Sequence, residues 1–481
     1  MDSVSDFSPT KYFPCQLGDC EELEYYEPGG FHPVHLGDVF DGRYRVVHKL
    51  GFGGFSTVWL ARDTVMNRWV ALKIVMAKES AMYQARCTIA SHPSIAGHRL
   101  FAVADGQFWV DGPNGRHLCL LFQVLGPDLS KLSKGIYSRM KPDFARDVSL
   151  QAARALAHLH SNGLCHGDAN LVSIDFTTSN IALRLIDEFG SYEESDLLKL
   201  FGQPQTSPLI PYSGESPRPH APDYNVVPLD FCSSTVNILS NEICIFDFDQ
   251  SFTVTGPPLG RPGIPARYLA PEVAVGRPVS PASDIWALGC AIFRIRSGDE
   301  LFFDYDTNCP EDALRQIVKA VGELPEEWKQ TQFDKDGFAL AEGVEGDPFW
   351  SLEETQPLED RIRDILDEPA SLFITDQGGA LEEMDVEPDI VLFDVELTVP
   401  YPAAFGSIIW RPTAVCVGGI YFTGYSHKTE DKLNAFPKIS ASEAALLTDL
   451  LSKVFTYDPA KRFDAEELVT HPWFHPDVGC E

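Results

Sequence analysis

Residues 50–75 read LGFGGFSTVWLARDTVMNRWVALKIV. Gly51 and Gly53 lie between two runs rich in β-branched and aromatic residues, the composition of strands joined by a tight turn. Glycine has no Cβ, so a loop built on it lets backbone N–H groups approach phosphate oxygens closely. Val58 lies in the second run, where it would cap a nucleotide base. The third run carries Val70-Ala71-Leu72-Lys73, which sets a cation on a strand after the glycine loop. Alone, G-x-G is a common hairpin turn and a strand lysine a common edge charge. In this order they form a phosphate cradle and its counter-charge.

The same β-type composition extends outward through YRVVHKL (residues 44–50) and HLCLLFQVL (residues 117–125), with Gly and Asn turns between runs. From Leu129 the period changes. In DVSLQAARALAHLHSNG (residues 147–163) apolar residues recur at helical spacing and Gly163 supplies the stop. The sequence therefore predicts a strand-rich lobe followed by a helix-rich one, behind a loop-rich lead-in over residues 1–40 with Gly29-Gly30 and Pro33. Two stretches break the pattern. Residues 181–241 are rich in Pro, Ser and Gly and read as a long loop between two functional strands. Residues 340–437 begin acidic, in SLEETQPLEDRIRDILDEP, and turn apolar around VLFDVELTVPYPAAFGSIIW.

At 481 residues the chain can hold two sizeable cores plus insertions. MDSVSDFSPT lacks the basic start and apolar run of a signal peptide, and the longest apolar stretches, such as Trp286–Phe293, are too short to span a bilayer. The expectation is a cytoplasmic and/or nuclear protein with no membrane contact. Eleven cysteines without a C-x-x-C pair read as free thiols; Cys15 and Cys20 lack a second half with ligand spacing. The formal net charge of −32 opposes direct nucleic-acid binding and favours basic partners.

Further motifs follow in order. Cys165-His166-Gly167-Asp168 comes just after the long helical stretch, where a carboxylate could accept a hydroxyl proton. An asparagine five residues beyond such an aspartate would hold Mg²⁺. Here Asn180 lies twelve residues past Asp168 and five past Asp175, and removing the seven residues Ala169–Asp175 would restore the spacing. Either Asp168 keeps its place while the insert bulges, or Asp175 slides into position. The histidine-containing turn favours Asp168. EICIFDFDQSF then supplies Asp247-Phe248, with Asp249 where a glycine is expected. Ala270-Pro271-Glu272, Asp284-Ile285-Trp286-Ala287-Leu288-Gly289 and, in YDPAKRFDAEELVTHPWF, Arg462 complete the series.

With the motifs in this order the chain resembles the SR-protein kinase family, as a divergent, fungal-type member. GGFHPVHLGDVFDGRYRVVHKLGFGGFSTVWLARD looks like that family's entry into the small lobe, and LCLLFQVLGPDLSKL like its hinge. GQPQTSPLIPYSGESPRPHAPDYNVVPLD is similar to its spacer, and DALRQIVKAVGELPEEW is family-like in the large lobe. The resemblance covers most of residues 28–330 and 440–475. It implies an α+β, bilobal eukaryotic protein kinase fold: an N-lobe over residues 41–125 and a helical C-lobe over 126–475, with insertions at about 181–241 and 340–437. It implies ATP and Mg²⁺ as cofactors and transfer of the γ-phosphate to serines in basic Arg/Ser-rich proteins, in mRNA processing, by a monomer.

The nucleotide contacts would be Leu50, Gly51, Gly53, Val58, Ala71, Lys73, Phe122 (as gatekeeper) and Leu125. The Mg²⁺ ligands would be Asn180 and Asp247, and the base Asp168 or Asp175. Glu272 and Arg462 would form a buried ion pair, and Asp284 would hold the catalytic loop's backbone. Two further departures from the family pattern stand out. Gly167 replaces the arginine that reads activation-loop phosphate, so control by that phosphate is not expected. No glutamate is placed to pair with Lys73, since Glu79 lies too close to it in sequence. The inserted catalytic loop and the absent glutamate give the alternative: an impaired pseudokinase that serves as a binding or scaffold protein.

Overall fold

The computed structural model describes residues 10–15, 20–86, 92–132, 139–166, 177–234, 236–248, 251–256, 266–304, 307–351, 355–367, 392–396, 408–410, 417–420 and 438–475. The chain divides into two compact units: Met1–Gly126 with Arg184–Leu239, and Pro127–Leu183 with Ser240–Glu481.

In the first unit, strands β1 (Val39–Phe40), β2 (Tyr44–Gly53), β3 (Ser56–Asp63), β4 (Arg68–Val75), β5 (Gly106–Gly112) and β6 (Gly115–Phe122) form one sheet in the order β1-β2-β3-β4-β6-β5. Gly53 lies opposite Ser56, so a two-residue turn joins β2 to β3. Between β3 and β4 the chain reverses through Asn67, whose φ of 51° is a left-handed conformation that asparagine tolerates better than most residues. Side chains alternate across the sheet. Val70, Leu72 and Ile74 share one core with Trp59, Ala61, Cys119 and Leu121, while Val75, Leu118 and Leu120 form a smaller cluster. Helix α1 (Ala77–Arg86) follows β4. Its buried Ser80 accepts from Leu118 N at 2.9 Å, which fixes α1 against β6.

The lead-in is built into this unit. Tyr12, Leu23, Tyr26 and Phe31 pack with Met76, Leu209 and Ala221. Glu21 is buried, paired with the equally buried Lys49, and accepts from Tyr26 Oη at 2.5 Å.

The stretch read as a long loop is also structured. It carries a helix, Glu194–Phe201, capped by reciprocal bonds between Glu193 and Asp196, and a strand pair, Thr206–Pro208 with Tyr224–Val226. Trp69 Nε1 donates to Tyr192 O at 2.8 Å, Leu36 N to Tyr224 Oη at 3.1 Å and Leu229 N to Lys49 O at 2.8 Å. The loop reading failed because eight helical residues are a weak signal among the prolines and serines around them.

The second unit is organised on the helix Pro281–Ser297, which begins in a capping box at Ser280 and ends at Gly298 with φ 77°. Apolar residues surround it, as expected of a helix buried on all sides. A Cβ on Gly289 would lie 2.5 Å from Val454 Cγ1, so only glycine lets the helix Ala441–Val454 approach so closely. Buried Arg296 reaches Glu443 at 2.8 and 3.0 Å. Burial pushes the Glu443 carboxyl up, but its bonds to Arg296 outweigh this and hold it below the usual range. The helix Pro142–Ser161 stops at Gly163, φ 70°, as its sequence predicts. Strand Ile181–Leu185 pairs centrally between β7 (Leu125–Asp128) and strand Leu239–Ile245. Within residues 340–437, Leu358–Arg363 is helical, Leu392–Glu396 pairs with Val417–Ile420, and Ile409–Trp410 pairs with Arg139–Met140. Among the described residues no helix is long and apolar enough to cross a membrane.

One titration follows from the first unit's packing. The His32 and His117 rings meet edge-on at 4.8 Å, and His117 Nδ1 is bonded to Val75 O at 3.0 Å. Burial, and then the neighbouring His117, bring His32 down to about 4. Between that value and the ordinary imidazole range the unfolded chain binds a proton that the folded chain does not, so stability falls as pH falls. Lowering the pH from 6.5 to 4 should cost on the order of 3 kcal/mol through this residue. His32→Gln should flatten the dependence in denaturant unfolding of the full chain, and an unchanged slope would refute the assignment.

Candidate active site

In the first unit the cross-strand register gathers residues that the sequence scatters. Gly51 lies opposite Val58, Val58 opposite Lys73, and Lys73 opposite Leu120; Ala71 lies opposite Phe122. Residues directly opposite one another present side chains to one face. Val58, Ala71, Lys73 and Phe122 therefore share a face of the sheet. Leu50 precedes Gly51 within β2, and Leu125 opens β7 (Leu125–Asp128) just past Phe122. A Cβ on Gly51 would meet nothing within 4 Å, and one on Gly53 only Ser56 Oγ at 3.8 Å. Among the described residues no crowding requires these glycines. The space they leave open above the sheet suits close approach of a phosphate to the backbone, so the residues present fit a nucleotide.

Lys73 Nζ donates to Tyr83 Oη at 2.6 Å and lies 4.8 Å from that ring's centroid. Glu79, the only acid in α1, sits in its first turn. Nothing in the sequence signalled Tyr83, since a tyrosine near a helix end is usually packing.

In the second unit the strand Leu164–Cys165 pairs with Phe252–Thr253 and leads into His166. The His166 backbone N–H donates to Asp284 Oδ2 at 3.0 Å, and His160 Nε2 contacts the same oxygen at 3.1 Å. Asp284 thus holds the backbone at this turn from the central helix, as the resemblance implied. His166 Nε2 is bonded to Phe246 O at 3.3 Å, its ring meets Phe248 at 5.1 Å, and Ser251 Oγ donates to His166 O at 3.0 Å. Burial holds the His166 imidazole below its usual range, although Asp284 pulls the other way. The ring is therefore neutral and acts as a clasp on residues 246–251. His160 and Ser251 belong to this clasp and carry no sequence motif.

Asn180, 2% exposed, sits just before strand Ile181–Leu185, and Asp247 just after Leu239–Ile245. Phe246 N donates to Asn180 O at 3.1 Å, so the two residues occupy adjoining strand ends. Asp247 has φ 68°, a left-handed conformation that aspartate enters at modest cost. A carboxylate and an amide carbonyl are the oxygen donors that a hard divalent cation takes, so this pair fits Mg²⁺. Asp168, Asp175, Gly167 and Asp249 lie outside the described residues. Cys15 and Cys20 are free thiols.

Glu272 and Arg462 are both buried and form a two-pronged pair at 2.9 and 3.0 Å. Arg462 also donates to Ala282 O at 2.5 Å and Thr456 O at 2.9 Å, and lies over Trp286.

A sequence profile described as Protein kinase domain matches residues 235–474, the region that holds Asp247, Glu272, Asp284 and Arg462. The chain belongs to the protein kinase family, with the SR-protein kinases as its relatives. It is 35% identical over 201 residues to Serine/threonine-protein kinase spk-1 of Caenorhabditis elegans, covering 39% of this chain and 20% of that protein. To SRSF protein kinase 3 of Homo sapiens it is 34% identical over 177 residues, 35% of this chain and 30% of that protein. To Serine/threonine-protein kinase SRPK of Physarum polycephalum it is 28% identical over 331 residues, 63% and 73% respectively. The match thus spans less than a third of the worm and human proteins.

The kinase-family pair Glu272–Arg462 yields a stability prediction. Arg462→Leu leaves Glu272 buried without its partner and should cost about 3–5 kcal/mol. Glu272→Gln combined with Arg462→Met should recover part of that loss in urea unfolding. A single-variant loss well below 1 kcal/mol would show that the pair does not anchor the unit.

Proposed function

We propose that this chain is a serine/threonine protein kinase that transfers the γ-phosphate of ATP to serines in Arg/Ser-rich proteins. One observation carries the reading over the pseudokinase alternative. The residues flanking Ala169–Asp175, His166 on one side and Asn180 on the other, are both bonded to Phe246, next to Asp247. The interruption in the motif therefore leaves its two ends tied to the segment that bears the metal-ligand candidate.

Catalysis of this kind is positioning plus charge stabilisation. ATP, when bound with Mg²⁺, supplies the phosphoryl group. Gly51 and Gly53 leave the backbone of β2 open to phosphate, and the Lys73 ammonium balances phosphate charge. Val58, Ala71, Phe122, Leu50 and Leu125 offer the apolar contacts for the base. Asn180 and Asp247 hold Mg²⁺. Asp168, or Asp175 in its place, accepts the serine hydroxyl proton. The net charge of −32 supports an arginine-rich substrate, because opposite charge speeds encounter and disfavours acidic competitors. The relatives named SRPK and SRSF protein kinase support the same substrate class. Such substrates place the enzyme in the cytoplasm or nucleus.

The full chain should phosphorylate an Arg-Ser repeat peptide with Mg²⁺ and ATP, and Asp247→Ala should abolish transfer. A wild-type chain that binds the peptide but transfers no phosphate would refute the enzyme reading. Asp168→Asn and Asp175→Asn, assayed side by side, identify the base: the true base should cost about 100-fold or more in turnover. Loss in the second variant alone would assign Asp175.

A further inference from the structure

The lead-in carries two thiols that phosphoryl transfer does not use. We infer that Cys15 and Cys20 form a redox-active pair, a site of modification by low-molecular-weight disulfides such as oxidised glutathione. The pair closes to an internal disulfide that fastens the lead-in to the sheet, and it does so whether or not the chain transfers phosphate.

The two cysteines flank a junction that is bonded on both arms. Glu24 Oε1 accepts from Lys11 N at 2.7 Å and from Tyr12 N at 3.3 Å, and Lys11 Nζ donates to Glu27 Oε2 at 2.5 Å. Tyr12, Leu23 and Tyr26 pack into one cluster with Phe31 and Met76, and Cys20 lies against it. Cys15 follows Tyr12 by three positions and Cys20 precedes Leu23 by three. The first arm is held from its other side as well: Phe13 N donates to Ile210 O at 2.9 Å, and the Phe13 ring lies 4.0 Å from that of Tyr212. Within this frame the Cys15 and Cys20 side chains are hydrogen-bonded to each other. A disulfide needs its sulfurs at about 2 Å, so two thiols already in contact close it by a small adjustment. Both are partly exposed, whereas Cys119, Cys165, Cys232, Cys244 and Cys290 are buried. Cys309, the remaining partly exposed thiol among the described residues, donates instead to Asp312 Oδ2 at 3.0 Å.

The contact also sets the order of attack. Burial first, and then the bond to Cys15, push the Cys20 thiol up to about 12. Cys20 therefore keeps its proton, and Cys15 is the sulfur that attacks first. The Cys15 thiol loses its proton to solvent, and its thiolate attacks one sulfur of oxidised glutathione. That S–S bond breaks, a mixed disulfide forms and one glutathione leaves. Cys20 then gives up its proton and attacks the Cys15 sulfur, releasing the second glutathione. Its proximity offsets its small thiolate fraction. Two protein thiols are thus oxidised while one external disulfide is reduced to two thiols. The ring so closed ends at Cys20, next to Glu21, whose carboxylate is paired with buried Lys49 two positions before Gly51. Oxidation ties the arm that carries Cys15 to the segment that pins the glycine-bearing strand.

Trypsin cuts after Lys11 and Arg43 with no Lys or Arg between them, so one peptide, Tyr12–Arg43, carries both cysteines and no other. The full chain, native or in urea, is treated with oxidised glutathione, its remaining thiols are alkylated, and the peptide is read by mass spectrometry. The native chain should give the peptide with two hydrogens lost and no alkyl group. Its ratio to the glutathione adduct should be at least about 10-fold that in urea, because contact raises the effective concentration of the second thiol. In Cys20→Ser the adduct should accumulate on Cys15, and in Cys15→Ser it should form on Cys20 about 10-fold more slowly. Oxidation should raise the melting temperature of the wild type by a few degrees and leave that of both variants unmoved. An equal ratio in native and urea-unfolded chains overturns the pairing, on the wild type alone. Adduct forming faster on Cys20 than on Cys15 overturns the order of attack. A disulfide that leaves the melting temperature unchanged overturns the fastening of the lead-in.

Discussion

A buried carboxylate in the central helix sets the geometry of the second unit. Asp284 is 3% exposed, and a charge so removed from water must be met by donors. Its Oδ2 receives the backbone N–H of His166 and contacts the ring of His160. Once the His166 backbone is fixed, its ring is held against Phe248 and bonded to Phe246 O, and Phe246 N in turn fixes Asn180. A chain of short contacts thus runs from one helical carboxylate to the two oxygen-bearing residues proposed for Mg²⁺. Each link beyond that carboxylate is a backbone group or a neutral ring.

The first unit uses a different device for the same end. Its sheet is an ordinary antiparallel one, but Lys49 on the strand leading to Gly51 is buried and paired with Glu21 from the lead-in. Breaking such a pair leaves an isolated buried charge, so lead-in and sheet are energetically one body. Residues 184–239 add to that body through Trp69, Leu36 and the Lys49 carbonyl. The glycine turn therefore projects from a strand tied down on both sides, while the turn itself keeps the open surroundings that phosphate approach requires.

What could be read from the sequence follows from which signals are periodic. Strands β2, β3, β4 and β6 announced themselves by β-branched residues alternating between turns, and Pro142–Ser161 by its helical period and terminal glycine. Strand β5, GQFWVDG, did not, because glycines and an aspartate dilute its three apolar residues. The helix Glu194–Phe201 was hidden by its short length. The site divides the same way. Gly51, Lys73, Asn180 and Asp247 belong to ordered motifs and could be named. Tyr83, His160 and Ser251 bond to residues at least ten positions away in sequence, and no local pattern encodes such a bond. The anchoring of the lead-in by Glu21 was equally invisible, since a glutamate in an acidic chain looks like surface charge.

The seven residues Ala169–Asp175 are the sharpest departure from family spacing, and their energetic weight can be bounded. They lengthen the connection between His166 and Asn180 from six intervening residues to thirteen. Roughly doubling a loop costs only about 0.6 kcal/mol in closure entropy. A single hydrogen bond contributes about 1 kcal/mol, and three bonds hold the two ends: Asp284 to His166, His166 to Phe246, and Phe246 to Asn180. The anchors outweigh the insert. Both candidate bases, Asp168 and Asp175, lie in the chain between these anchors. The insert therefore bears on which of the two carboxylates is proposed as base, while the bonds that tie His166, Phe246 and Asn180 together stand on either side of it.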